Sequence, residues 1–214
     1  SPTWFMDCNE YCRKRQRELS ALGATGVACV LLDPAGRAAA SKDFNHTDAA
    51  IVRLLEGSVA VFVEGGGTLF LLKSLRRSLD LATDGGGRSS FAELLQSRVK
   101  DGSLAYVGVS AGSVVAGDTA SVALIWSDRG AQLLDGNYAA LGLVSQCIFL
   151  PHFKPDQEAW MQQYAWSLRD GSGPDPACPG CRVMTVPQCQ PLSWGRASSQ
   201  RPWGLQYMCP SLFR

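Results

Sequence analysis

A serine stands between two glycines at the point where an apolar run of the sequence ends. The run covers residues 104–109, and Gly108, Ser110 and Gly112 complete the pattern Gly-x-Ser-x-Gly. A nucleophile on a tight strand-to-helix turn needs small neighbours, because larger side chains prevent the strained turn from closing. The turn places the backbone N–H of Ala111 where it can stabilise developing negative charge. The pattern predicts a nucleophile at Ser110, with a Gly- and Ser-rich turn without chemistry as the alternative.

A serine needs a neighbouring base to act as a nucleophile at neutral pH. The chain has two histidines, His46 and His152. His46 lies in a polar stretch before a helix cap, where we expect a surface residue. His152 follows an apolar run over 146–150, as a base at a strand end would, although a core histidine bonded to backbone fits too. A standard α/β-hydrolase places its histidine much later, after an acid, so the order Ser110 then His152 excludes that fold.

Three consecutive glycines, Gly65–Gly67, end another apolar run and precede a helical pattern that begins at Thr68. Their backbone N–H groups can supply a second oxyanion donor beside that of Ala111. A phosphate-binding loop is the alternative. It is the weaker one, because the chain has neither G-x-x-x-x-G-K-[ST] nor the spacing of G-x-G-x-x-G around these glycines.

The elements that must position these residues alternate between strands and helices. Strands are predicted over 26–32, 58–63, 104–109, 146–150 and 182–186, with 121–126 as a strand or an extended loop. Helices are predicted over 7–22, 47–55, 68–79, 90–100 and 155–169. This alternation predicts a parallel sheet covered by helices. Ligands bind beyond the carboxyl ends of such strands, where the glycines, Ser110 and His152 are expected to meet.

Composition indicates one globular domain without a charged partner. The chain has 214 residues, 46% of them hydrophobic and 18% charged, and a formal net charge of +1. This charge balance gives no case for nucleic acid or a membrane surface as a partner. No apolar run approaches the roughly 20 residues of a membrane span, and no signal peptide is visible. We therefore expect a cytoplasmic protein, and the sequence leaves open whether it is a monomer or a homodimer.

Eight cysteines are spread thinly along the chain. Cys29 and Cys147 lie in apolar runs and are predicted to be buried thiols. Cys178 and Cys181 form a C-x-x-C, which is compatible with zinc, with redox chemistry or with incidental loop cysteines. A zinc site needs about four ligands, and no second C-x-x-C or histidine pair accompanies this one. We therefore predict no metal and no cofactor.

Three motifs in order resemble the peptidase E (α-aspartyl dipeptidase) and cyanophycinase family of serine peptidases. They are V-E-G-G-G-T-L-F-L-L, Y-V-G-V-S-A-G-S and L-G-L-V-S-Q-C-I-F-L-P-H-F, and the similarity runs from roughly residue 4 to residue 192. The resemblance implies a three-layer α/β sandwich of the class I glutamine amidotransferase-like (flavodoxin-like) type. It divides the chain into a single α/β domain over 1–192 and a divergent tail over 193–214.

The resemblance also implies roles for individual residues. Ser110 would be the nucleophile and His152 the base, with an oxyanion hole made by backbone of Gly66 and Ala111. The implied reaction is hydrolysis of the peptide bond after an N-terminal aspartate, through an acyl-enzyme, and the implied partner is a small peptide substrate. Substrate binding is predicted at four positions: Glu64 for the ammonium, Lys154 for the side-chain carboxylate, and Gly67 and Thr68 beside them. Exposed charges without a role are the alternative reading of Glu64 and Lys154.

The sequence departs from the family at several points. Gly67 stands where the family has Asn, and Gln188 stands near the position of the family's acid. An amide can hold a histidine but cannot stabilise imidazolium as a carboxylate does, and Asp128 is a candidate substitute. The family's first strand would precede residue 1, so the chain as given would expose a sheet edge. These departures keep two alternatives open: a catalytically weak relative that binds or regulates, and a cysteine or metal enzyme built on Cys178 and Cys181.

Overall fold

A computed structural model describes residues 8–30, 48–79, 90–126, 134, 136–153, 157–170 and 181–187, and the structural statements below concern these residues. The elements in chain order are α1 (Cys8–Ala21), α2 (Asp48–Glu56), β1 (Ala60–Val63), α3 (Thr68–Arg76), α4 (Phe91–Lys100), β2 (Ala105–Gly108), α5 (Ala111–Ala116), a 3-10 helix (Ser121–Trp126), β3 (Cys147–Phe153), α6 (Glu158–Asp170) and β4 (Arg182–Pro187). Within the described ranges, no helix is both long and apolar enough to cross a membrane.

Both strand pairs are parallel, as the alternating sequence pattern predicts. β1 pairs with β2, with Val63 opposite Gly108, and β3 pairs with β4. The short helix α5 follows β2 and packs against β2, β3 and α3, so it joins the two strand pairs. The carboxyl ends of β1, β2 and β3 carry the triple glycine, Ser110 and His152, respectively. The prediction of an α/β fold with parallel strands is confirmed.

A leucine-rich face of α3 forms much of the core between these elements. Leu69, Leu72 and Leu75 recur at three-residue spacing and are at most 1% exposed. Burying each of these side chains stabilises the fold by about 1.5–3 kcal/mol. The same core includes Val114 and Val115 of α5, both fully buried. Core packing therefore holds the first turns of α3 and α5, which flank the serine, against one another.

Most predicted helices form close to their predicted limits. Ser90 caps α4 through a capping box, since its Oγ accepts from Glu93 N–H while the Glu93 carboxylate accepts from Ser90 N–H. Helix α3 ends at Arg76, before the predicted end at residue 79. At that end the Arg77 guanidinium pairs with Asp48 at the start of α2, and this bond raises the pKa of Arg77.

Two predicted strands are wrong in the described residues. Residues 26–30 form no strand, and the Val27 carbonyl accepts a bond from the Gln16 side chain of α1. Residues 121–126 form a 3-10 helix. Its first turn is fixed locally, because Ser121 N–H donates to the Thr119 hydroxyl and Ala123 N–H donates to the Ala120 carbonyl. An apolar run alone does not reveal such short-range bonds.

Candidate active site

The serine turn is built from two close backbone approaches that only glycine permits. A Cβ on Gly112 would lie 2.0 Å from the Val63 carbonyl oxygen, and a Cβ on Gly108 would lie 2.6 Å from Gly112 backbone. The spacing Gly-x-Ser-x-Gly thus follows from helix α5 crossing the ends of β1 and β2 at van der Waals distance. Ser110 itself has φ 53° and ψ −113°, a backbone conformation that costs about 1–3 kcal/mol unless its surroundings hold it.

Ser110 and His152 are in direct contact. His152 Nε2 lies 2.8 Å from Ser110 Oγ, which is a hydrogen-bond distance between a nucleophile and its base. His152 also has a positive φ, of 59°, at an irregularity of β3. Pro151 and Phe153 pair with consecutive residues of β4, so the ladder skips the histidine between them. This bulge lets the imidazole turn toward Ser110, which follows β2.

The triple glycine lies directly beside the serine. A Cβ on Gly65 would lie 3.0 Å from Ser110 Cβ, and Gly66 has φ 136°, a region that favours glycine. Neither the Gly66 nor the Ala111 N–H donates to a backbone carbonyl within the described part of the chain. Both donors predicted for the oxyanion hole are therefore unused by the backbone next to Ser110. Gly67 is the N-cap of α3, and Thr68, the first residue of that helix, is 6% exposed.

Glu64 is already paired in the structure. Its Oε1 is buried and lies 2.7 Å from Nε of Arg15, but the N–H is poorly aimed, so the contact is an ion pair without a proper hydrogen bond. Arg15 also contacts the Glu18 carboxylate at 2.5 Å. The sequence analysis did not assign Arg15 to the site, and its side chain is 37% exposed. The available signal was its periodicity, because Arg15 shares a three- and four-residue spacing with Leu19 and Leu22.

The remaining predicted site residues cannot be placed. Lys154, Asp128 and Gln188 lie outside the described residues, as do His46 and Cys178. The structure therefore brings together Ser110, His152, the triple glycine and Ala111, with Glu64 at their edge.

Neither of the two cysteines that were predicted to be buried thiols, Cys29 and Cys147, has that state. Cys29 forms a disulfide with Cys12, so the prediction of a buried thiol there is wrong. The bond joins α1 to the segment after it, a long-range pairing that spacing does not reveal. Cys147 is a free thiol as predicted, but it is half-buried; this partial burial, and then the nearby Asp118 carboxylate, raise its pKa. No cluster that could hold a metal occurs among the described residues.

A strained serine on a strand-to-helix turn, in hydrogen-bond contact with a histidine of another strand, has the geometry that a serine nucleophile and its base require. The family model of peptidase family S51 matches residues 6–174. The chain belongs to this peptidase family. Membership agrees with the predicted resemblance and fits a flavodoxin-like α/β fold.

The chain also resembles a solved structure. The chain is similar to a Putative Peptidase E Protein from Listeria monocytogenes EGD-e, at 24% sequence identity and a TM-score of 0.45. The similarity covers 66% of this chain and 57% of that one, so this chain spans less than two thirds of that protein. No curated protein matches the sequence.

Proposed function

We propose that this protein hydrolyses the peptide bond after an N-terminal aspartate in dipeptides or small peptides, through an acyl-enzyme on Ser110. The observation that carries the proposal is the 2.8 Å contact between Ser110 Oγ and His152 Nε2. A serine hydroxyl in such contact can transfer its proton as it attacks a carbonyl carbon. Membership of a serine peptidase family supports the same reaction class.

The proposed reaction has two halves. His152 Nε2 accepts the proton of Ser110 Oγ as the oxygen bonds to the scissile carbonyl carbon, and the resulting oxyanion accepts from the N–H groups of Ala111 and Gly66. The C–N bond then breaks as His152 gives its proton to the leaving amine, which departs with the acyl group left on Ser110. Water attacks this ester with His152 again as base, and free aspartate and the original serine result.

His152 can act in this way only if Nδ1 carries the ring's proton, since Nε2 must be the acceptor. A group that accepts from Nδ1–H would hold this tautomer. We propose Asp128 or Gln188 for that position, in agreement with the sequence. A carboxylate there would also stabilise the imidazolium that forms during attack, whereas an amide would only orient the ring.

Glu64 is the carboxylate that we propose for recognition of a free ammonium. Glu64 immediately precedes the glycines, and Arg15 is shared between the carboxylates of Glu64 and Glu18. Lys14 also lies 3.9 Å from the Glu18 carboxylate, so the charges of these four side chains balance, and a substrate ammonium would share Glu64 with Arg15. We propose that Glu64 attracts the substrate's α-ammonium there, and that Lys154 meets the aspartate side chain.

The test is release of free aspartate from Asp-Leu by the purified protein, measured by chromatography. Ala-Leu serves as the control for the side chain and N-acetyl-Asp-Leu as the control for the ammonium. We expect turnover of Asp-Leu alone, and its loss in Ser110→Ala. Turnover that survives this substitution would disprove the serine mechanism. Asp-Leu that binds without being hydrolysed would support the alternative of a binding or regulatory relative.

A cytoplasmic location stays a prediction, and cell fractionation would test it. The Cys12–Cys29 disulfide argues against that location, because reducing compartments keep such bonds open.

A further inference from the structure

Two buried hydroxyls form hydrogen bonds across the serine turn, between β2 and the first turn of α5. Tyr106 lies on β2, four residues before Ser110, and its hydroxyl donates to the Gly112 carbonyl at 2.7 Å. Ser113 lies on α5, and its hydroxyl donates to the Gly108 carbonyl at 2.8 Å. Tyr106 is 6% exposed and Ser113 is 3% exposed. One hydrogen bond therefore runs from the strand to the helix, and the other runs from the helix back to the strand.

The turn needs these side-chain hydrogen bonds because its backbone hydrogen bonds do not by themselves fix α5 relative to β2. Ser113 N–H and Val114 N–H both donate to the Ser110 carbonyl, and Gly112 N–H donates to the Val109 carbonyl. These bonds close the first turn of α5 around Ser110. They do not fix the angle between that turn and β2. This angle determines whether Ser110 Oγ points at His152. The Tyr106 bond acts on this angle, since it spans from the strand to Gly112.

We propose that Tyr106 is a positioning residue for the nucleophile. By holding the Gly112 carbonyl, its hydroxyl fixes α5 relative to β2. This holds Ser110 Oγ at hydrogen-bond distance from His152, with the Ala111 N–H beside it. Tyr106 does not contact the reacting atoms and does not transfer a proton. The inference rests on the proposed role of Ser110 as nucleophile, and it is independent of which peptide is the substrate.

A second buried tyrosine offers a matched control. The Tyr164 hydroxyl on α6 lies 2.7 Å from the Ser121 hydroxyl of the 3-10 helix, and Tyr164 is also 6% exposed. Tyr106→Phe and Tyr164→Phe each remove one buried hydroxyl with a bond of the same length. Only the first bond ends on the serine turn. A general loss of packing or stability should therefore affect both variants, and a change in nucleophile geometry only the first.

The experiment measures the second-order rate constant for covalent labelling of Ser110 by a fluorophosphonate, together with the melting temperature of each variant. We expect Tyr106→Phe to lower the labelling rate roughly tenfold, as loss of one buried hydrogen bond would. Tyr164→Phe should stay within about twofold of the unmodified chain, with a similar fall in melting temperature. With Asp-Leu as substrate, Tyr106→Phe should lower kcat and leave KM unchanged.

An unchanged labelling rate in Tyr106→Phe would overturn the inference, and so would equal losses in both variants. If Tyr106→Phe does not fold, Ser113→Ala takes its place. It removes the other hydrogen bond across the turn and should also lower the labelling rate constant. Labelling of the unmodified chain without release of aspartate would disprove the proposed substrate and leave the inference standing. No labelling of Ser110 at all would disprove both.

Discussion

The close approach of Gly112 to β1 leads to a quantitative prediction. In Gly112→Ala the new Cβ would stand 2.0 Å from the Val63 carbonyl oxygen and 2.8 Å from the Val63 carbonyl carbon. Both neighbours are backbone, so no side chain can turn away to make room. Real Cβ atoms essentially never come within 3.0 Å of such atoms. Helix α5 would therefore have to move by roughly 1 Å from β1, which breaks its fit against the core.

The cost of this shift can be estimated. Overpacking a well-packed core costs about 1–3 kcal/mol, and a backbone obstacle places this case near 3 kcal/mol. Loss of glycine's freedom in the unfolded chain offsets about 0.4–1 kcal/mol. We therefore expect the free energy of unfolding to fall by about 2–2.5 kcal/mol. For a chain of this size that corresponds to a Tm lower by roughly 4–10 °C.

The assay is urea unfolding followed by circular dichroism, with Gly57→Ala as the matched control. A Cβ on Gly57 would lie 3.4 Å from the Arg53 carbonyl, an ordinary contact, so this variant should be nearly as stable as the unmodified chain. Equal m-values would show that the same surface is exposed on unfolding. Gly112→Ala and Gly57→Ala with the same midpoint would refute the reasoning.

Three further predictions concern the site and its surroundings. In Gly65→Ala the Cβ would lie 3.0 Å from Ser110 Cβ, so we expect kcat to fall about tenfold or more while the melting temperature changes little. A kcat equal to that of the unmodified chain would show that the added Cβ does not displace Ser110. Arg15→Ala should free the Glu64 carboxylate from its ion pair and change KM for Asp-Leu more than kcat, which steady-state kinetics at two salt concentrations would check. Burial raises the pKa of Cys147, so its thiol stabilises the fold below the ordinary thiol pKa and this contribution is lost as pH rises through the folded pKa. The stability of the unmodified chain should therefore fall relative to Cys147→Ala above about pH 9, as denaturant unfolding at several pH values would show.

The serine turn and its histidine were predictable because their evidence is local or depends on chain order. Gly108 and Gly112 flank Ser110 in sequence, and the steric need for them acts over two residues. His152 was predictable because it is one of two histidines and ends an apolar run. Parallel strands then bring such ends to one edge without any knowledge of side-chain contacts.

Most of the features that the sequence did not reveal depend on contacts between distant residues. The ion pair of Arg15 with Glu64 spans α1 and the end of β1, and the Cys12–Cys29 bond selects one partner among eight cysteines. The backbone conformation of His152 depends on a bulge, which arises from pairing with β4 and leaves no mark in composition. The 3-10 helix at 121–126 shows the opposite failure, because local bonds overrode the strand preference of an apolar run.

Ser110 and His152 belong to two different pairs of hydrogen-bonded strands. Ser110 follows the β1–β2 pair, His152 lies in the β3–β4 pair, and α5 packs on β2 and β3 between them. Each ladder can in principle persist while the other opens, since proteins unfold locally in cooperative units. Reactivity of Ser110 requires both ladders docked at once, whereas helical circular dichroism does not. As denaturant increases, covalent labelling of Ser110 should therefore disappear before the helical circular dichroism signal does. Labelling of Ser110 would then measure whether the two strand pairs are still packed together.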